Sequence, residues 1–154
     1  LNLWVPQGWS FDGLDAYDLG AFNVAKNKKK KKLRKAVGAL GFAFNQSRIQ
    51  HWDIFGYPAQ SPWNGNKLVT CSTQHAIDDG IGGGPDPIGV GCDLNGGSSG
   101  GPWILRLRRG NLLNGITTYG YAAQPGAIYG PYFENTANRI RCAAGTGNPD
   151  ATVC

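Results

Sequence analysis

The chain has 154 residues, of which 41% are hydrophobic and 16% charged, and a net charge of +5. That balance excludes a wholly disordered chain, provides apolar material for one compact core, and contains no apolar run long enough to span a membrane. The positive charge is local: eight of the fifteen basic residues lie between Lys26 and Lys35, and the rest of the chain holds seven basic against ten acidic side chains.

The 24 glycines, 9 prolines, 5 tryptophans and 6 tyrosines predict short strands joined by many turns, because Gly and Pro punctuate while aromatics fit a pleated surface. An all-β protein is therefore expected. The start Leu1-Asn2-Leu3-Trp4 has neither an initiator Met nor a basic-then-apolar leader, and Met is absent throughout, so the sequence reads as a processed or truncated piece. Residues 1–14 carry Pro6, Gly8 and Gly13 among aromatics, and residues 16–24 predict a strand by their aromatic and β-branched content. The basic stretch 26–35 follows. It gives way to the apolar run 36–44, whose small residues suit a tightly packed strand. Further strands are predicted over 49–55, 67–72, 88–92, 102–107, 111–119 and 127–133, separated by breakers such as Ser61-Pro62-Trp63-Asn64-Gly65 and Gly82-Gly83-Gly84-Pro85. That spacing predicts a sandwich or barrel. Residues 134–144 predict one short helix, and 145–154 a tail.

Cys71, Cys92, Cys142 and Cys154 lack the paired spacing and companion histidines of a zinc site. Disulfides, and with them an oxidising compartment, are the better expectation. Four cysteines allow three pairings. Cys71–Cys92 with Cys142–Cys154 is preferred because each closes a modest loop.

The stretch that carries chemistry runs from Gly91 to Trp103, where Ser98 and Ser99 sit among glycines directly before an apolar strand. Glycines let backbone N–H groups approach a substrate closely. A serine at such a turn can present its hydroxyl while its own N–H and that of Gly97 converge on a developing oxyanion. A bare Gly-Gly-Ser-Ser turn would connect strands and nothing more, but Gly97-Ser98-Ser99-Gly100-Gly101-Pro102 resembles the nucleophile motif Gly-x-Ser-Gly-Gly-Pro of trypsin-like serine peptidases. Ser98 replaces the acidic residue usual before the nucleophile, as in a secreted microbial branch of that family. It cannot pair with a new N-terminal amine as that acid does in activated animal relatives.

The resemblance extends in chain order. Asp18, in Tyr17-Asp18-Leu19-Gly20-Ala21, resembles the triad aspartate, although Asp12 and Asp15 lie close by and any of the three could be a turn residue. Phe55-Gly56-Tyr57-Pro58-Ala59 is similar to an element of the microbial branch. Thr117-Thr118-Tyr119-Gly120 resembles the strand that pairs with a bound substrate, and residues 127–133 resemble the closing strand behind the specificity pocket. The resemblance implies a secreted serine endopeptidase with a chymotrypsin-like double β-barrel, acting on a protein or peptide substrate as a monomer, with no cofactor or metal. Residues 1–25 would be a remnant of the first barrel, 26–35 a basic interbarrel linker, 36–141 the second barrel with its nucleophile, and 142–154 a tail. Ser99 would be the nucleophile, Asp18 the orienting acid, and Gly97 and Ser99 the oxyanion hole.

A triad also needs a histidine to accept the serine proton. Family order puts it before the aspartate, hence upstream of residue 1. His51 and His75 both follow Asp18: His51 alternates along a predicted strand and His75 lies in a polar stretch, so neither is assigned. Asp93 lies six residues before Ser99, where trypsin-like members carry the acid that binds Lys or Arg. The segment is turn-rich and its register differs from trypsin's, so the preference of the pocket stays open. A glutamate preference has less support, since no histidine sits near Thr117 or Thr118. The lysines between Lys26 and Lys35 predict a solvated linker with weak polyanion adhesion. No aromatics are interleaved to stack on bases, so specific nucleic-acid binding is not expected. Rival readings are a non-catalytic homologue that binds peptides and a polyanion-binding surface protein.

Overall fold

A computed structural model describes residues 2–154. The all-β expectation holds, with a seven-stranded sheet, a separate two-stranded ribbon and three short α-helices among the described residues. The strands are β1 (Leu3–Trp4), β2 (Ala21–Phe22), β3 (Gly41–Phe42), β4 (His51–Gly56), β5 (Val69–Asp78), β6 (Ile88–Gly91), β7 (Pro102–Leu105), β8 (Leu112–Ile116) and β9 (Ala127–Gly130). The helices are α1 (Gln7–Ser10), α2 (Leu33–Val37) and α3 (Asn135–Thr146). Strand order in the large sheet is β3-β8-β7-β4-β5-β6-β9, antiparallel except where β3 meets β8 in parallel. Beyond β8 the chain reaches β9: Thr118 N–H donates to the Tyr129 carbonyl and Tyr129 N–H to the Tyr119 carbonyl, each at 2.9 Å. These bonds join the segment after β8 to the far edge of the sheet.

The core lies among the strands of this sheet. Alternation along β4 sends Trp52, Ile54 and Gly56 inward, and Trp52 meets Trp103 of β7 edge to face at 5.6 Å between ring centroids. Both indoles are 1% exposed, so each N–H needs a partner inside the protein. Trp52 Nε1 donates to Asn114 Oδ1 and Trp103 Nε1 to Thr117 Oγ1, both at 3.0 Å. Asn114 also donates to the Ala43 carbonyl at 2.8 Å, which ties the chain after β3 to β8. A second cluster, Leu19, Phe133 and Ala137, forms under α3. That helix is capped by Glu134, whose carboxylate accepts from Thr136 N–H at 3.0 Å, and ends on Gly147 at φ +76°. The disulfides are Cys71–Cys92 and Cys142–Cys154, the preferred pairing. Among the described residues no helix is long and apolar enough to cross a membrane.

The structure departs from expectation before residue 45. Residues 15–17 form a 3-10 turn and only Ala21–Phe22 is strand, since the Tyr17 and Asp18 N–H groups fold back onto the Leu14 and Asp15 carbonyls. The apolar run 36–44 is not one buried strand either. Its first part continues a short helix rich in Leu, Arg, Lys and Ala, all good helix formers. Gly38 at φ +84° then turns the chain, leaving two residues to pair with β8. Val37, Leu40 and Phe42 are exposed, and Ala43 is the first of the run to enter the core.

Candidate active site

The glycine-rich turn that carries Ser98 and Ser99 lies between two fixed posts. At one end Cys92 is bonded to Cys71 of β5, and at the other Trp103 is bonded to Thr117. Between them the backbone folds on itself: Ser98 N–H donates to the Asn95 carbonyl at 3.1 Å and Gly101 N–H to the Ser98 carbonyl at 2.9 Å. The turn also pairs across to the end of β8, where Gly100 N–H meets the Thr117 carbonyl at 2.7 Å and Thr117 N–H the Gly101 carbonyl at 2.9 Å.

Gly97 holds φ +102°, and a Cβ there would lie 2.8 Å from both the Ala59 Cβ and the Tyr57 carbonyl oxygen, so only glycine fits. The turn sends its two serines opposite ways. Ser98 is 2% exposed and packs against Gly56, its Oγ without a hydrogen-bond partner among the described residues. Ser99 is exposed. Among the described residues the N–H groups of Gly97 and Ser99 donate no hydrogen bond, while those of Ser98, Gly100 and Gly101 all do.

A cavity of about 600 Å³ opens at Ser99 and brings together Asp93, Thr117, Thr118, Tyr119 and Gly120. Thr118 Oγ1 is buried there without a partner among the described residues. Gly97 faces a second cavity of about 510 Å³ that shares Ser99 and runs past Tyr57 and Leu68. Asp18 lines neither cavity. Its carboxyl is held above its ordinary value of 3.8, first by partial burial and then by the charge of Asp15. His51 lies on the outer face of β4, its Nε2 2.9 Å from Ser72 Oγ, which donates to Asp53 at 2.8 Å. His75 pairs with Asp78 at 3.1 Å, and Arg48 reaches the same carboxylate at 3.3 Å. Neither histidine lines the cavity at Ser99.

Two arrangements escaped the sequence reading. Asn95 clamps the wall of the cavity, accepting from Gln60 N–H at 3.2 Å and donating to the Gln60 carbonyl at 3.0 Å. Asp79 accepts the hydroxyls of Tyr119 and Tyr121, each at 2.7 Å. Burial foremost, with the Asp79 bond second, pushes the Tyr119 hydroxyl far up, and the Asp79 bond foremost raises that of Tyr121. Both phenols thus stay protonated as donors. The partners stand 40 and 42 residues apart, and no local pattern announces them.

Antiparallel strands with an exposed serine on a glycine turn match the architecture of solved serine proteases. The chain belongs to the trypsin-like serine protease family and has the chymotrypsin-like fold. It is similar to the protease Anisep from Arthrobacter nicotinovorans, at 32% identity and a TM-score of 0.79, covering 93% of this chain and 64% of that one. It is equally similar to the thermostable serine protease AL20 from an extremophilic microorganism, at 32% identity and a TM-score of 0.78, covering 95% of this chain and 67% of that one. A Glu endopeptidase, 16% identical with a TM-score of 0.70 over 95% of this chain and 63% of its own, shares the fold. The chain spans about two thirds of the length of these proteases. No family model and no curated protein matches it.

Proposed function

We propose that this chain carries the nucleophile part of a secreted serine endopeptidase. The observation that supports it most is the end of the turn, where Ser99 is exposed and, among the described residues, the N–H groups of Gly97 and Ser99 donate no hydrogen bond while that of Ser98 between them does. In this reading Ser99 Oγ attacks the peptide carbonyl carbon and its proton passes to a histidine upstream of residue 1, which Asp18 orients. The two N–H groups hold the oxyanion. The C–N bond then breaks as the histidine returns the proton to the leaving amine, and water hydrolyses the acyl ester on Ser99. Residues 117–120 pair with the substrate backbone and Asp93 lines the primary pocket. Residues 1–25 belong to the first barrel, 26–35 link the barrels, 36–141 form the second barrel and 142–154 its tail. The two disulfides fit an oxidising, extracellular setting.

The test is labelling of the whole protein that carries this chain with a fluorophosphonate probe. Labelling that disappears in Ser99→Ala supports the peptidase. A folded whole protein that takes up no label is instead the peptide-binding homologue.

A further inference from the structure

The segment between Lys26 and Lys35 has no part in that chemistry. All ten of its residues are exposed, eight are basic and none is acidic. Among the described residues none of its side chains is in an ion pair. It is also ordered locally: Asn27 Oδ1 accepts from the N–H groups of Lys29 and Lys31 at 3.0 and 2.9 Å, and Asn27 N–H donates to the Lys31 carbonyl at 3.0 Å. The lysines therefore radiate from a compact turn. That turn feeds α2, where Leu33 and Val37 stand four residues apart and so share a face. They are 53% and 75% exposed, and Val24 and Leu40 on either side of the segment are also exposed.

We propose that residues 24–40 form a peripheral docking site for an anionic lipid bilayer, with the basic groups at the phosphate level and Leu33 and Val37 reaching the acyl boundary. The pairing of charge with outward aliphatic side chains selects this partner. A nucleic acid or sulfated glycan would be satisfied by charge alone and gains nothing from an exposed leucine and valine, and the segment has no aromatic ring to stack on a base. A bilayer offers both anionic headgroups and apolar depth within a few ångströms of each other. Lysine stems can lie along that boundary while their ammonium groups stay wet.

The site involves neither Ser99 nor its cavity, so it stands or falls apart from the peptidase reading. The experiment is co-sedimentation of the 154-residue chain with phosphatidylcholine vesicles, with and without phosphatidylserine. Binding is expected only with phosphatidylserine. A K28Q/K29Q/K31Q/K32Q variant should partition more than about 100-fold more weakly, at about fivefold per lysine. A Leu33→Ser/Val37→Ser variant keeps every charge and should still lose about tenfold. The altered side chains are exposed, and unchanged near-ultraviolet circular dichroism checks each fold. No binding to the anionic vesicles, or wild-type binding by the Leu33→Ser/Val37→Ser variant, overturns the proposal. So does tighter retention on heparin or duplex DNA than on vesicles, which would assign the patch to a polyanion.

Discussion

Replacing Gly97 by alanine tests whether the shape of the turn is fixed by the absence of a side chain. Gly97 and Gly100 both hold positive φ, at +102° and +77°, but their surroundings differ. A Cβ on Gly100 meets nothing within 4 Å, whereas one on Gly97 lies 2.8 Å from the Ala59 Cβ and the Tyr57 oxygen and 2.9 Å from the Ala59 nitrogen. Gly100→Ala should therefore cost only the backbone term, about 1–2 kcal/mol. Gly97→Ala adds crowding against backbone atoms that cannot rotate away, which is worth a further ~1–3 kcal/mol. Urea unfolding followed by tryptophan fluorescence measures the difference, since Trp103 lies next to the turn. Equal stability of the two variants would refute the argument. Under the proposed mechanism, relief of the clash by rotation of the Gly97 peptide in the whole protein would turn its N–H away and lower kcat by about 100- to 1,000-fold, the effect of one lost oxyanion donor.

Asp18→Asn should stabilise the fold at neutral pH. The folded carboxyl holds its proton more tightly than the unfolded one, so its stabilising contribution is full below its ordinary value of 3.8 and is lost as pH rises through the raised folded value. Thermal melts of the two proteins should converge at acid pH and separate above it, and a lower melting temperature for Asp18→Asn at pH 7 would contradict the assignment. Thr117→Val keeps the shape of the side chain but strands the Trp103 indole N–H in the core, at about 1–3 kcal/mol by chemical denaturation.

The core strands were legible because their side chains alternate, as they do along β4, where the structure buries Trp52 and Ile54. The tight turn at residues 96–101 was legible for a different reason, since its glycines are needed at defined places, as the crowding at Gly97 makes plain. The strands predicted over 16–24 and 36–44 were misread because apolar content alone does not supply a partner. β2 finds only Leu3–Trp4 and β3 only two residues of β8, so neither grows into a long strand. Residues 117–119, assigned to the β8 strand by pattern, leave it to bond with Gly101 and with Tyr129. The Asp79 bonds to Tyr119 and Tyr121 and the Asn95 clamp on Gln60 were invisible because side-chain pairing across loops leaves no period in the sequence.

The alternation of donors along the turn also has a dynamic consequence. The amides of Ser98, Gly100 and Gly101 are locked to carbonyls, while among the described residues those of Gly97 and Ser99 donate no hydrogen bond. Hydrogen exchange should therefore alternate between neighbouring residues, with fast sites beside slow ones, a pattern that a floppy loop cannot produce. Because the disulfide at Cys92 and the indole bond at Trp103 have already removed the turn's freedom, a ligand that engages those two open amides gives up little conformational entropy, and its affinity should weaken little for that reason on warming.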